Sequence, residues 1–386
     1  MISGRSTVNK EIIFMKLFEY QAKQLFSEAG IVVPKGHIVS SLDEVEALKD
    51  ESIMPCVLKS QVLQGGRGKA GLIQFASSYN EMYEKASELF NSKANVKKIL
   101  IETRLGVKEE LYLAMTIEPV TGRILIMASR AGGMDIEETA KTAPEKIVYE
   151  RVDINRGLLP FQCRNVMFGL GLSGDNFKQG VKILTGLFEL FKKYDAELVE
   201  INPLVITDSG LVAADGKFSI DDNASTRQKR FEKTPDYYDN QIEYEASLEG
   251  IPFLYFGGDI GLMCAGAGLT NTVYDLINDY GGTVANYLEF GGPNYKKALQ
   301  AMQLTLKAKP KVILIVTFGT IARADVMAEG IADAISKLKP QIPIITAIRG
   351  TNEEQAAKIL SQCGLEPLFD TEDAVKQAVA IAKGGR

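Results

Sequence analysis

A glycine-rich stretch in the first part of the chain has residue types suited to holding phosphate. Gly66 and Gly68 flank Arg67 in the segment QGGRGKA, Lys69 follows, and Lys59 lies a few residues earlier. Because glycine has no Cβ, the backbone N–H groups of such a turn can fold closely over phosphate oxygens, and the cations attract a polyanion. An ordinary hairpin with solvated basic residues would show the same pattern. This stretch alone therefore leaves phosphate binding open.

A second group of polar residues lies in the segments EINPLV and AADGK. Glu200 and Asn202 are two residues apart on a predicted strand and therefore share one face of it, and Asp215 follows after one hairpin. Pairing of the strands would bring oxygens of Asn202 and Asp215 together, which suits a Mg²⁺ ion whose other ligands are phosphates. For any single carboxylate, a polar strand face exposed to water is the commoner explanation. The combination with a glycine-rich turn and a preceding lysine is harder to obtain by chance.

Two other phosphate-binding patterns are disfavoured by the sequence. Gly66, Gly68 and Gly71 match the dinucleotide-binding pattern G-x-G-x-x-G, but that fingerprint requires a helix to begin at the glycines, whereas a strand is predicted at 71–76. The pattern G-x-x-x-x-G-K-[ST] does not occur in the sequence. The sequence therefore argues against a dehydrogenase and against a Walker-type nucleotide site.

Composition and charge indicate a soluble enzyme with more than one domain. The 386 residues are too many for one ordinary core, and 46% apolar with 24% charged residues is typical of globular proteins. Asp and Glu outnumber Lys and Arg by 49 to 44, so no bulk positive charge attracts nucleic acid or an anionic membrane. The four cysteines are far apart in sequence, and no apolar run is long enough to cross a bilayer. These features favour a cytoplasmic protein with free thiols.

The pattern of apolar residues changes along the chain. A helix is predicted from Phe18 to Ala29, and the charged stretch 225–250 is predicted to be a linker with some helix. Beyond it, strands alternate with glycine turns and helices, which is typical of a parallel α/β sheet. Strands of the front half are predicted at 56–62, 71–76, 98–102, 110–118 and 123–129. The predicted parts are a disordered leader, an α+β domain with antiparallel strands, the linker and a doubly wound α/β domain, at 1–14, 15–224, 225–250 and 251–386.

Five motifs, taken in order, resemble the β-subunits of succinyl-CoA synthetase. They are FEYQAKQLF, GGRGKAG, EELYL, EINPLV with its downstream DGK, and GAGL, and the similarity runs nearly end to end from Lys16. The resemblance implies an ATP-grasp domain in the front half and a flavodoxin-like CoA-ligase domain behind it. It also implies Mg²⁺ as cofactor, ATP/ADP or GTP/GDP as the nucleotide, and succinate–CoA ligase activity.

The resemblance also assigns roles to residues at matching positions. The family binds the nucleotide phosphates at the positions of Lys59, Gly66, Arg67 and Gly68. It binds adenine and ribose at the positions of Glu102, Leu105 and Glu110. Asn202 and Asp215 match the magnesium ligands. Glu200 matches a carboxylate that the family places near its phosphorylated histidine.

The histidine content bears on how the reaction would be completed. The resemblance implies that phosphate passes from ATP to a histidine, then to the acid, before CoA displaces it. This chain has one histidine, His37, and it precedes every site motif. We therefore expect the phosphohistidine and the CoA site on a partner α-subunit, without which this chain cannot complete the reaction.

The back domain departs from the family at two places that line the expected acid site. Ala265 stands in CAGAGL where the family usually has the asparagine of N-G-A-G-L, and Thr320 replaces a glycine in the usual F-G-G-I-V-R. The substrate positions of this second motif are Gly319, Thr320, Ile321 and Ala322. The segment VANYLEFGGPN is also similar to part of ATP-citrate lyase and citryl-CoA synthetase. Succinate is ranked first, and citrate or malate are the alternatives.

A nucleotide-binding regulatory subunit without catalysis is a further alternative. It would have no reason to retain Lys59, Arg67, Asn202 and Asp215, all of which are present. The sequence therefore favours a catalytic subunit that binds a small dicarboxylic or tricarboxylic acid.

Overall fold

The computed structural model describes residues 15–49, 52–63, 66–133, 136–231, 233–238, 240–291, 296–320 and 322–385. The chain divides into two compact units, Met1–Glu232 and Lys233–Arg386, and each is described by itself. The predicted leader, 1–14, lies outside the described residues. None of the described helices combines the length and the apolar character needed to span a bilayer.

The front unit is built mainly from antiparallel strands. Its described strands are β1 Met15–Lys16, β2 Gly36–Val39, β3 Cys56–Ser60, β4 Ile73–Ala76, β5 Ile99–Thr103, β6 Glu109–Glu118, β7 Arg123–Ser129, β8 Ile147–Val152, β9 Ala196–Thr207, β10 Gly210–Ala213 and β11 Lys217–Ile220. Its described helices are α1 Glu19–Glu28, α2 Leu42–Glu46, α3 Tyr79–Phe90, α4 Ile136–Thr142, α5 Pro160–Gly169 and α6 Gly174–Lys193.

These strands form two antiparallel sheets. The smaller has the order β2-β5-β3-β4, and the larger has the order β1-β11-β9-β6-β7-β8 with β10 paired to β9. In the smaller sheet, Leu58 and Ile101 point to an apolar core that Met82 and Leu89 of α3 complete. The opposite face of β3 and β5 is left for polar side chains, because successive residues of a strand alternate between faces.

The rear unit is a doubly wound sheet. Its described strands are β12 Phe253–Tyr255, β13 Ile260–Cys264, β14 Val284–Leu288, β15 Val312–Gly319 and β16 Ile344–Gly350. Its described helices are α7 Gln241–Leu248, α8 Ala267–Asp279, α9 Ala298–Lys307, α10 Ala324–Leu338, α11 Glu353–Gln362 and α12 Thr371–Ala382. The strand order is β12-β14-β13-β15-β16, in which the last four are parallel and β12 is antiparallel.

Helices cover both faces of this sheet. Val273 of α8 and Ala378 of α12 pack on one face, whereas Ala301 of α9, Ala328 of α10 and Ala356 of α11 pack on the other. The strand β15 is apolar on both faces, as a parallel strand between two helix layers must be. Counted from β13, the parallel strands have the order 2-1-3-4 of flavodoxin-like sheets. The predicted fold class is confirmed: an α+β front half followed by a flavodoxin-like domain.

The stretch predicted as a linker, 225–250, includes part of the rear unit. The boundary between the units falls inside it, but α7 occupies most of its second half. Ala246 of α7 is buried in the apolar core of the rear unit, and Glu243 accepts the N–H of Tyr255 at 2.8 Å. The helix expected within this stretch is therefore α7, and it packs into the core of the rear unit.

Candidate functional site

Two strands of the smaller sheet place opposite charges on one face. β3 and β5 are paired so that Lys59 lies opposite Leu100 and Val57 opposite Glu102. Directly paired residues point to the same side of a sheet, so Lys59 and Glu102 are diagonal neighbours on the face away from the apolar core. Both side chains are buried, and Lys59 Nζ lies 3.1 Å from Glu102 Oε2.

Helix α1 adds a second pair of charges to this face. Its apolar side, with Ala22, Leu25 and Phe26, is buried. Glu19 and Lys23 are one turn apart on another side of the helix and form an ion pair of 2.8 Å. Only 4% of each of these two residues is exposed to solvent. The helix therefore inserts charged side chains into the interior next to β3 and β5.

Glu19 and Glu102 hold the lysines in a continuous network. Lys59 Nζ donates to Glu19 Oε1 at 2.9 Å and to the backbone oxygen of Ala214 at 2.6 Å. Lys23 Nζ donates to both oxygens of Glu102 at 2.7 Å. Buried charges are tolerated when they are paired and hydrogen-bonded in this way.

The cations determine the protonation of Glu19. Burial alone would raise the pKa of its carboxyl group, but the positive charges of Lys23, Lys59 and Arg67 outweigh burial and hold the pKa well below 4.5. Burial likewise opposes the charge of Lys59, yet Glu19 and Glu102 raise its pKa above 10.5. Burial acts the other way on two further members of the network, since it lowers the pKa of Lys23 and raises the pKa of Asp215.

Arg67 connects the glycine-rich turn to this network. Its Nη1 donates to Glu19 Oε2 at 2.5 Å, and its Nη2 donates to Asp215 Oδ1 and Oδ2 at 2.9 Å each. Gly66, which precedes it, has a φ of +75°, a conformation that favours glycine. Gly68 is exposed, and a Cβ there would meet no atom within 4 Å, so its backbone borders open space. Lys69 is exposed as well, and no ion pair of it is found among the described residues.

The predicted pairing of Asn202 with Asp215 matches the strand register. Ala213 lies opposite Leu204, Ala214 N–H donates to Pro203 O at 3.1 Å, and Lys217 lies opposite Glu200. Residues 214–216 lie between these paired strands, and extending the same register across them would put Asp215 opposite Asn202. Asn202 Oδ1 also accepts the N–H of Gly133 at 2.7 Å.

The residues present fit a magnesium site in which the protein supplies few of the ligands. Within the described ranges, no group of three or more His, Cys, Asp or Glu side chains could hold a metal by itself. One amide oxygen and one carboxylate, Asn202 and Asp215, are the oxygen donors that Mg²⁺ prefers when phosphates and water supply the other ligands. Glu200 is half-buried on the same face of β9, two residues from Asn202.

The residues predicted to bind adenine and ribose differ in their exposure to solvent. Glu102 is 1% exposed and both of its oxygens accept from Lys23, so it belongs to the ion network. Leu105 is half-buried in the segment that connects β5 to β6, and Glu110 is exposed on β6. The backbone oxygen of Glu110 accepts the N–H of Gly132 at 3.0 Å.

Sequence reasoning missed Glu19 and Lys23 as site residues. Both lie in the motif FEYQAKQLF, and the apolar spacing of that motif predicts only a helix. A Glu and a Lys one turn apart are usually a solvated pair on a helix surface. Nothing local in the sequence shows that this particular pair faces the interior.

The rear unit brings the two predicted acid-binding turns together. β13 and β15 are neighbours, and the Ala265 N–H just beyond β13 donates to Val316 O at 3.1 Å. α8 and α10 leave these strands toward opposite faces of the sheet. In doubly wound sheets, the crevice between two such strand ends is the usual ligand site.

The turn after β15 combines a tightly packed residue with open ones. A Cβ on Gly319 would come within 2.5 Å of Ala324 N, so a larger residue does not fit there. Thr320 is exposed and Ala322 is half-buried, whereas Ile321 lies outside the described residues. Ala265 therefore directly follows β13, and Thr320 directly follows the neighbouring strand β15.

Comparisons with known proteins agree with both units. Residues 16–206 match the ATP-grasp domain, and residues 263–381 match the CoA-ligase domain. A subunit of an ADP-forming sulfoacetate–CoA ligase from Acholeplasma sp is 54% identical over 371 residues, which cover 96% of this chain and 92% of that protein. The chain belongs to the family of ADP-forming acid–CoA ligase subunits.

Other members of this CoA-ligase family are similar over the same length. A subunit of the ADP-forming sulfoacetate–CoA ligase of Bilophila wadsworthia is 53% identical over 371 residues, covering 96% of this chain and all of that protein. The β-subunit of succinate–CoA ligase from Ignicoccus hospitalis is 39% identical over 375 residues, with 96% of this chain and 100% of that protein covered.

A solved structure shows the same fold. The ATP citrate lyase of Methanothrix soehngenii superposes on 96% of this CoA-ligase subunit and 100% of that chain with a TM-score of 0.73 and 22% sequence identity. At this identity the similarity shows the fold alone and does not identify the acid substrate.

Proposed function

We propose that this chain is the nucleotide-binding β-type subunit of an ADP-forming sulfoacetate–CoA ligase. In the presence of Mg²⁺, its front unit binds ATP or ADP, and its rear unit contributes to the site of the acid. The complete reaction converts ATP, CoA and sulfoacetate to ADP, inorganic phosphate and sulfoacetyl-CoA.

The difference in sequence identity between two groups of relatives carries the choice of acid. Two sulfoacetate–CoA ligase subunits are 54% and 53% identical to this chain, whereas the succinate–CoA ligase subunits reach 38–39% over the same share of it. Succinate, which the sequence alone ranks first, is therefore replaced by sulfoacetate as the preferred acid. Citrate is supported only by the shared fold of a citrate lyase.

The two departures at the crevice are consistent with a sulfonate. Sulfoacetate carries a carboxylate, which forms the thioester, and a sulfonate, which has three oxygens and a larger volume than a carboxylate. Ala265 leaves more room than the asparagine usual in succinate ligases, and Thr320 adds a hydroxyl donor where they have glycine. Backbone N–H groups at the start of α8 and α10 add donors and a favourable helix dipole for an anion.

The ion network of the front unit fits the handling of a nucleotide triphosphate. Lys59 and Arg67 supply positive charge for the phosphates, and Asn202 and Asp215 would hold Mg²⁺, which neutralises phosphate charge during transfer. Glu200 lies beside the metal pair on β9, where it would orient a group that receives phosphate. Intact charge pairing throughout this network argues for catalysis over a purely regulatory role.

The position of the single histidine supports a partner subunit. His37 lies on β2 opposite Ile101 and is exposed to solvent. We propose that a partner α-type subunit carries the phosphohistidine and the CoA site. The purified chain should then bind Mg·ATP without forming an acid-labile phosphohistidine.

Reconstitution with the cognate α-type subunit tests both parts of the proposal. ADP release and thioester formation are measured with sulfoacetate, succinate, malate and citrate, and the products are identified by mass spectrometry. We expect the highest kcat/KM with sulfoacetate. A higher value with succinate would return the assignment to succinate–CoA ligase.

Phosphate labelling tests the division of the site. With ATP labelled at the γ-phosphate, the pair should show acid-labile label on the partner, and the lone chain should show none. A His37→Asn variant should behave as the parent does in both experiments. Stable label on His37 in the lone chain would overturn the split site.

A further inference from the structure

The contact between Arg67 and Asp215 places a cation on the proposed metal ligand. Arg67 Nη2 donates to both oxygens of Asp215 at 2.9 Å, and Gly216 N–H donates to Oδ1 at 2.7 Å. Mg²⁺ requires a carboxylate oxygen at about 2.0–2.1 Å. A guanidinium group remains charged at every physiological pH. Arg67 in this position and a divalent cation on Asp215 would therefore repel one another at close range.

The site is also balanced in charge without metal or nucleotide. Its ion pairs join three cations to three carboxylates: Lys23, Lys59 and Arg67 to Glu19, Glu102 and Asp215. Mg²⁺ alone would add two uncompensated positive charges to a poorly solvated region. Mg²⁺ together with nucleotide phosphates brings its own negative charge, and those phosphates are also hydrogen-bond acceptors for Arg67.

We propose that Arg67 stays hydrogen-bonded to Asp215 until nucleotide phosphates bind its guanidinium group in place of that carboxylate. The divalent cation therefore enters the site with the nucleotide and not before it. Phosphate is a suitable new partner because arginine binds its oxygens in the same forked geometry as a carboxylate. The inference rests on the nucleotide-binding role proposed above and adds an order of binding to it.

Because Glu19 holds one end of the Arg67 guanidinium group, the change of partner can be confined to the other end. It accepts Arg67 Nη1 at 2.5 Å, and its side chain is only 1% exposed. The Nη1 end of the guanidinium can therefore stay attached to Glu19 while the Nη2 end changes partner. Asp215, whose side chain is 27% exposed, is the more accessible of the two carboxylates.

Mn²⁺ binding to the nucleotide-free chain tests the exchange without an activity assay. Mn²⁺ substitutes for Mg²⁺ and is followed by electron paramagnetic resonance and by calorimetry. The Arg67→Gln variant should bind Mn²⁺ at least about tenfold more tightly than the parent, since removal of one charge-assisted contact to a carboxylate changes affinity by one to two orders of magnitude. The Asp215→Asn variant should bind as weakly as the parent, and the double variant should lose the gain.

Arg227→Gln is a matched control in the same unit. Arg227 Nε and Nη2 donate to Asp195 at 2.8 Å, so this variant also removes a guanidinium group from a carboxylate, which here keeps the Nε2–H of Gln228 as a donor. Its Mn²⁺ affinity should equal that of the parent. If Arg67→Gln binds Mn²⁺ no more tightly than Arg227→Gln, the proposed exchange of partners at Arg67 is contradicted. If Asp215→Asn weakens Mn²⁺ binding to the nucleotide-free chain, the metal already shares the site with Arg67, and the exchange is wrong as well.

A titration with ADP in the presence of a chelator separates this inference from the proposed function. The parent should bind metal-free ADP, and Arg67→Gln should bind it roughly tenfold or more weakly. Opposite changes in Mn²⁺ and ADP affinity in one variant would not arise from a general loss of structure. A parent chain that binds no ADP would refute the nucleotide-binding role, and the Mn²⁺ measurements would still decide whether Arg67 keeps a divalent cation from Asp215.

Discussion

The front unit concentrates charge in buried side chains, whereas the rear unit presents backbone N–H groups at the edge of a sheet. In the front unit, Glu19 contacts Lys23, Lys59 and Arg67, and each of these depends on the others for its charge to be tolerated inside the protein. In the rear unit, the crevice is bordered by the turns after β13 and β15, where the packing of Gly319 restricts the backbone and the nearby side chains are small.

This difference indicates how each site can change during evolution. A substitution in the ion network leaves a buried charge without its partner, so the nucleotide site has few permitted variants. At the crevice, Ala265 and Thr320 can differ from other family members without disturbing the backbone donors. The acid can therefore vary among relatives while the nucleotide chemistry stays the same.

The largest expected effect is the loss of Glu19. Glu19→Gln should destabilise the front unit by about 3–5 kcal/mol, because it leaves three buried cations with one carboxylate fewer. Glu28, at the other end of α1, pairs with Arg230 at an exposed position, so Glu28→Gln should cost at most about 1 kcal/mol. Urea unfolding followed by circular dichroism measures both. Equal effects of the two variants would show that the network is not a buried unit.

A smaller effect is expected when Lys59, a proposed phosphate-binding cation, is removed. Lys59→Ala should weaken Mg·ATP binding by about 1.5–3 kcal/mol, roughly ten- to a hundredfold in affinity. Lys178→Ala, which removes a lysine that is 75% exposed on α6, should leave the affinity unchanged. Calorimetry is suitable because the chain has no tryptophan. Unchanged binding in Lys59→Ala would contradict the assignment of β3 to the nucleotide site.

The depressed pKa of Glu19 predicts an acid-dependent contribution to stability. Because its pKa is well below 4.5 in the folded chain, this group stabilises the fold fully above pH 4.5, and the contribution is lost as pH falls through the folded value. The slope from this group is at most about 1.4 kcal/mol per pH unit. Unfolding temperatures measured between pH 7 and pH 3 should fall less steeply below pH 4.5 in Glu19→Gln than in the parent. Parallel curves would assign acid sensitivity to other carboxylates.

The smallest expected effect concerns the acid. The double variant Ala265→Asn, Thr320→Gly should lower the ratio of kcat/KM for sulfoacetate over succinate by roughly two- to tenfold, since one hydrogen bond contributes about 0.5–1.5 kcal/mol. Lys59→Ala should reduce kcat/KM for both acids by the same factor, because the nucleotide site does not distinguish them. An unchanged ratio in the double variant would exclude these two residues as determinants of acid choice.

Much of the local structure can be predicted from the sequence. The strand predicted at 123–129 coincides with β7, the one predicted at 110–118 begins one residue later than β6, and the one predicted at 98–102 begins and ends one residue earlier than β5. These strands are bounded by turns and rich in β-branched residues, so local preference and tertiary environment agree. The strand predicted at 71–76 begins later, at Ile73, because the glycine-rich turn continues through Gly71, whose φ is +71°.

Contacts across one hairpin are also determined locally. Asn202 lies on β9 and Asp215 between β10 and β11, and both β10 and β11 pair with β9, so the register of short-range strand pairs governs how close the two residues come. The family motifs, the order of the two domains and the absence of a second histidine can likewise be obtained from the sequence.

Only the tertiary structure decided which charges share the interior. Arg67 reaches Glu19 across 48 positions of sequence, and Lys59 reaches the carbonyl of Ala214 across 155. Residue types and spacing predict a helix with an ordinary Glu–Lys pair at Glu19, and the family resemblance implies an adenine-site position at Glu102. The packing of α1 against β3 and β5 places both carboxylates among the cations, and the adenine role of Glu102 stays a prediction. Burial makes their pairing obligatory, because water no longer screens the charges, and burial depends on how distant elements pack together.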